Sequence, residues 1–129
     1  MPDSEESVGR VLRSQEALHA LQVESFGEVN VVRVKKERLI YPDLRTFSAE
    51  ISALIEGGTR KLVINLSEVS YMDSASYGCL MDIYRMMCAQ NGTVKLVGLQ
   101  ERVGAMGSLV GLTRLIETFR EEEKALKSF

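Results

Sequence analysis

The segment Asp73-Ser74-Ala75-Ser76-Tyr77 places a carboxylate and two hydroxyls within four residues, directly after the apolar run Leu62–Leu66 and the pair Tyr71-Met72. Ser and Asp are favoured helix caps, and a helical pattern runs on from Tyr77, so the segment reads as a strand-to-helix turn. At such a place backbone N–H groups lack intrahelical partners and the helix dipole is positive, so a phosphate carried there is stabilised. The chemistry on offer is that of a phosphoacceptor or a cap. Nucleophilic catalysis needs a base beside the hydroxyl, and the single histidine, His19, lies far away in an extension that the rest of the chain does not require. Gly-x-Ser-x-Gly is absent around Ser74, and no Gly-x-x-x-x-Gly-Lys-Ser/Thr loop offers an ATP site. The carboxylates Asp73 and Asp82 are generic at this level. No catalytic residue, cofactor or enzyme activity is expected.

Composition narrows the remaining classes. A chain of 129 residues suits one domain. A formal charge of −2 argues against nucleic acid, because no basic patch could neutralise a phosphate backbone. Arg33, Lys35, Lys36 and Arg38 read as a solvated strand edge. No apolar run approaches the ~20 residues that span a bilayer, and no secretory pattern opens the chain, so a cytoplasmic protein without membrane insertion is expected. Cys79 and Cys88 are nine residues apart on one predicted helix, hence about 13 Å apart and on opposite sides, which forbids a mutual disulfide. With His19 they make no zinc set, and no metal is expected.

The elements that must hold the serine loop follow from periodicity. Residues 1–25 form an extension. Val8, Val11, Leu12, Leu18 and Leu21 recur at helical spacing within it, fitting one amphipathic helix or a broken pair, either packed on the domain's own surface or frayed as a tail, or else used for docking or for a homodimer. Residues 26–129 form the domain proper. Strands are expected at Val29–Val34, Leu39–Tyr41, Leu62–Leu66, Val94–Val97 and Leu115–Ile116. Helices are expected from Pro42-Asp43 to Gly57-Gly58, over 76–89, over 100–110 and over 121–129, with Gly104 and Gly107 weakening the third. Strands alternating with helices imply an α/β fold with parallel neighbours.

These residues also resemble the STAS domain of the bacterial anti-sigma factor antagonist type. In that family an apolar strand leads through a small polar turn to Asp-Ser-Ser-Gly-Leu-Gly, matched here by Asp73-Ser74-Ala75-Ser76-Tyr77-Gly78. The resemblance continues through Asn91-Gly92, Val94–Val97, Gly111-Leu112 and Glu122–Leu126, so it covers roughly residues 28 to 129. It implies a small mixed β-sheet with helices packed mainly on one side. It further implies a protein-binding module that sequesters a partner-switching kinase acting as anti-sigma factor, with a serine phosphatase resetting the cycle. By position the phosphorylated residue is Ser74. Ala75 and Ser76 depart from the family's second serine and glycine, so Ser76 stands as an alternative acceptor and as a candidate source of loop strain. Rival readings are a constitutive, never phosphorylated STAS scaffold and a STAS subunit of a transport assembly.

The partner surface expected from this reading is Asp73, Ser74, Ala75, Ser76 and Tyr77, joined by Cys79, Ile83 and Met86 on the same helix. Tyr41 and Asp43 from the preceding turn complete it, a loose echo of a Gly-x-Leu-Asp turn in the family. Methionine adapts well to a protein partner.

Overall fold

Leu62, Val63 and Ile64 are all fully buried, and they form the middle of strand β4 (Lys61–Asn65), the centre of the sheet. The computed structural model describes residues 21–129. In it β1 (Leu21–Phe26), β2 (Val29–Val34), β4, β6 (Thr93–Val97) and β7 (Glu117–Phe119) form one sheet in the order β1-β2-β4-β6-β7. β1 and β2 are an antiparallel hairpin closed by Gly27-Glu28, with Gly27 at φ +64°, as a two-residue turn requires. The other pairs are parallel. Their connections carry the helices α1 (Leu44–Glu56), α2 (Ser74–Ala89), α3 (Glu101–Leu109) and α4 (Leu112–Leu115); α5 (Glu122–Lys127) ends the chain. A parallel pair, β3 (Arg38–Leu39) with β5 (Tyr71–Met72), ties the entrances of α1 and α2 together.

Helices cover one face and one helix covers the other. Val32, Ile64 and Leu96 of the sheet pack with Phe47, Ile51 and Ile55 of α1, with Leu80, Ile83 and Met87 of α2, and with Val103 and Leu112. On the opposite face Val29, Val31, Val63 and Val97 meet, among the described residues, Ala125, Phe119, Leu126 and Phe129. So thin an apolar contact is supplemented by charge. Arg33 on β2 grips Glu122 through two N–H donors at 2.6 and 2.9 Å, and Asn65 donates to the same carboxylate at 2.5 Å. Lys95 is buried beneath α5, donating to the Ser128 hydroxyl at 2.6 Å with its ammonium 4.5 Å from the Phe129 ring centroid. Arg33 holds the Glu122 carboxyl below the usual carboxylate range, and burial opposes this.

Three expectations need correction. Leu21 to Ser25, placed by apolar spacing in the N-terminal extension, belong to β1. Only Leu21 of that strand is buried, so the local apolar signal is weak, and pairing with β2 decides the state. The strand expected at Leu39–Tyr41 is Arg38–Leu39, with Tyr41–Asp43 already a 3₁₀ turn. The strand expected at Leu115–Ile116 falls at Glu117–Phe119; Leu112–Leu115 is a helical turn and Ile116 a core residue. The helical reading of residues 1–20, and His19, lie outside the described residues.

Candidate functional site

Asp73, not Ser74, caps α2. Its backbone is extended (φ −87°, ψ 173°), and one carboxylate oxygen accepts from the Ser76 N–H at 3.0 Å and the Ser76 hydroxyl at 2.7 Å. The other oxygen accepts from the Tyr41 N–H at 2.8 Å, which fastens the turn before α1 to the start of α2. The Ser76 hydroxyl, followed by the Tyr41 and Ser76 N–H groups, holds the Asp73 carboxyl below its ordinary range against the effect of burial. Ser74 is thereby released from capping. It is the first residue of α2 and exposed, as is Ala75.

Ser76 is different in kind. Its side chain is 0% exposed, and its oxygen lies 2.8 Å from the Leu39 carbonyl as well as 2.7 Å from Asp73. A hydroxyl owning one proton shares it between those two acceptors, binding β3 to the helix start. Phosphorylation at Ser76, the alternative acceptor, would require opening the first turn of α2 to bring that oxygen to a kinase. The expected loop strain is corrected. Ser76 lies within a regular helix, and among the described residues Asn91 is the one non-glycine at positive φ. Tyr77 likewise leaves the partner surface. It is buried, its hydroxyl donates to the Val103 carbonyl at 3.0 Å, and burial pushes its pKa up.

The remaining residues converge on an open groove between the start of α1 and the outer side of α2. Tyr41, Pro42, Leu44, Arg45, Thr46 and Ser48 form one wall. Ala75, Gly78, Cys79, Asp82 and Met86 form the other, with Ile83 at the floor. Ile83 is only 1% exposed, so it supports the groove rather than presenting a contact. Cys79 and Met86 are half-buried, and burial raises the Cys79 thiol pKa while Ser48 interacts with it from across the groove. Tyr41, 72% exposed on the rim, is the one large aromatic free to bury on a partner among the groove residues. Asp43 does structural work instead. It accepts from Lys36 at 2.6 Å and from the Ile40 N–H at 3.1 Å, closing the 3₁₀ turn that carries Tyr41. Of that first wall Tyr41 is expected from sequence; Leu44, Arg45, Thr46 and Ser48 of α1 escape it because their neighbourhood with α2 exists only in the fold.

Among the described residues, no group of three His, Cys, Asp or Glu side chains could hold a metal ion. No helix among them is long and apolar enough to cross a membrane. The site is thus one exposed hydroxyl on a helix start, beside an apolar groove. A family model for the STAS domain matches residues 20–125. The chain belongs to the STAS domain family. Its STAS domain is 31% identical over 105 residues to the anti-sigma-B factor antagonist of Bacillus subtilis, covering 80% of this chain and 84% of that protein. The Bacillus cell fate determinant SpoIIAA in its phosphorylated form has the same fold, with a TM-score of 0.68 at 24% identity, covering 84% of this chain and 97% of that one. An anti-sigma factor antagonist from Mycobacterium paratuberculosis superimposes with a TM-score of 0.76 at 22% identity, covering 84% of this chain and 91% of that one.

Proposed function

We propose that this STAS protein is an anti-sigma factor antagonist, a binding protein of the bacterial cytoplasm switched by phosphorylation at Ser74. The observation that carries the reading is the division of labour at the start of α2. Asp73 caps the helix and Ser76 anchors it, leaving the Ser74 hydroxyl exposed beside the groove. The partner is a protein kinase that also acts as anti-sigma factor, and a serine phosphatase reverses its action. The kinase supplies ATP, the Ser74 oxygen takes the γ-phosphoryl group, and ADP and the hydroxyl proton leave.

Unphosphorylated, the groove offers Leu44, Pro42, Cys79 and Met86 as apolar contacts and Tyr41 as a rim anchor. Phosphorylation adds about −1.5 to −2 charge next to that surface. The free protein tolerates the phosphate because it sits on the helix N-terminus. The complex does not, because the interface would have to desolvate it beside Asp73. No refolding is needed.

Incubation with ATP and the cognate kinase, followed by intact-mass analysis, tests this. Wild type and Ser76→Ala should each gain about 80 Da, the mass of one phosphoryl group, and Ser74→Ala should not. Ser74→Asp should bind the kinase at least about tenfold more weakly than Ser74→Ala, a cost of ~1.4 kcal/mol or more. Equal affinities would remove the switch, and an unchanged mass for wild type would leave a constitutive binding module.

A further inference from the structure

The groove beside Ser74 carries one charge that the fold does not answer. Arg45 lines it from the first turn of α1 and is exposed. The acids nearby are already matched. Asp82 on the opposite wall pairs with Arg85 at 2.9 Å, and Asp43 with Lys36 at 2.6 Å. One oxygen of Asp73 accepts from Ser76 and the other from the Tyr41 N–H. Among the described residues Arg45 itself has no ion pair. Its own helix does not favour it either. The first turn of α1 holds no acidic residue, and a cation there meets the positive pole of the helix dipole. A guanidinium at this position therefore breaks a local rule with no compensating contact inside the domain.

The walls around Arg45 are largely apolar, formed by Pro42, Leu44, Ala75, Cys79 and Met86. A partner that covered them with apolar groups alone would strip water from an unpaired charge, which opposes binding. A carboxylate laid against the guanidinium removes that penalty. Its two oxygens also match the planar fork, so the contact fixes the partner's register.

We propose that Arg45 determines the specificity of the groove by pairing with a carboxylate side chain of the partner. The segment received between α1 and α2 is then an apolar stretch bearing an aspartate or a glutamate. That this segment belongs to the kinase rests on the partner-binding reading above; the groove's preference for an apolar anion does not.

The two free cysteines test that preference without any kinase. Cys79 lines the groove, and Cys88, exposed outside it, is the internal control. The full chain is treated in parallel with two aromatic disulfides, the dicarboxylate dithiobis(nitrobenzoate) and the uncharged dithiodipyridine, and the adducts are mapped by mass. In each reaction the cysteine thiolate forms a mixed disulfide and expels one aryl thiolate. The ratio of dicarboxylate to uncharged rate at Cys79 should fall at least about fivefold in Arg45→Glu and change little in Arg45→Lys. The ratio at Cys88 should stay the same. An equal Cys79 ratio in wild type and Arg45→Glu overturns the proposal. Titration calorimetry with the kinase is the second arm. Arg45→Gln should bind at least about tenfold more weakly and respond less to salt, Arg45→Lys should recover most of the loss, and melting should be unaffected. Unchanged affinity and salt response would also overturn the proposal. A dimer by light scattering that Arg45→Glu dissolves would place the carboxylate on a second copy and overturn its assignment to the kinase. If wild type binds no kinase, the partner-binding reading fails alone, because the reagent ratio still decides what the groove selects.

Discussion

Replacing Ser76 with alanine removes one oxygen from the interior and should destabilise the fold. The lost hydroxyl serves an ionised carboxylate and a backbone carbonyl in a fully buried position. Hydrogen bonds to charged groups contribute about 1.5–3 kcal/mol. Alanine returns up to ~0.5 kcal/mol through its better helix propensity. A net loss of about 2 kcal/mol follows. The unfolding entropy is about 2.1 cal/mol/K per residue, hence roughly 0.23 kcal/mol/K for residues 21–129, so Tm should fall by about 8–9 °C at pH 7. The pH dependence supplies a second signature. The folded Asp73 carboxyl titrates below its ordinary value chiefly because of Ser76. Its stabilising contribution is fully present above the unfolded carboxylate pKa of about 3.9 and is lost as pH falls through the lower folded value. The gap between wild type and Ser76→Ala should therefore be widest at pH 5–7 and narrow markedly toward pH 2–3. Differential scanning calorimetry of both proteins across that range measures it. A gap under about 2 °C at pH 7, or one that does not change with acid, would refute the assignment of Ser76 as the anchor of Asp73.

Other changes probe the surrounding frame. Tyr41→Ala should weaken kinase binding by about 2 kcal/mol or more while shifting Tm by less than about 2 °C, because the side chain is exposed on the groove rim; titration calorimetry beside a melt separates the two. Gly98→Ala should cost about 2–4 kcal/mol in urea unfolding, since φ is +77° and a β-carbon would stand 2.6 Å from that of Ser67. Gly78→Ala, in open space on a helix, should instead stabilise the fold by about 0.5–1 kcal/mol in the same assay. Glu122→Gln should destabilise by about 1–2 kcal/mol at neutral pH, and the difference should fade in acid. The depressed Glu122 carboxyl contributes above the unfolded pKa of about 4.3 and loses its contribution as pH drops through its folded value. Denaturant melts at several pH values read this directly.

Much of this protein is written locally. Leu62–Leu66 is apolar but for Asn65 because its strand is covered on both faces. α1 ends at Gly57-Gly58 because glycine accepts the turn that follows, and the Asp-Ser-x-Ser order marks a helix start wherever it falls. These are properties of neighbouring residues, so the α/β alternation, the position of the serine loop and the family resemblance can all be read in the sequence. Edge strands are not written that way. β1 and β7 bury little of themselves and take their state from the partner strand, while β5 consists of two residues whose pairing with β3 no window of sequence reveals. The same reason governs the site. Ser74 and Ser76 are alike in type and two residues apart, yet one meets solvent and the other meets the Leu39 carbonyl, 37 positions away in the chain. Tyr41 and Met86 share a groove only because two crossover helices begin at the same end of the sheet. Residue order alone determined that a helix starts at this loop. Only the tertiary structure decided which hydroxyl it leaves free, because burial is set by contacts between residues that are distant in sequence.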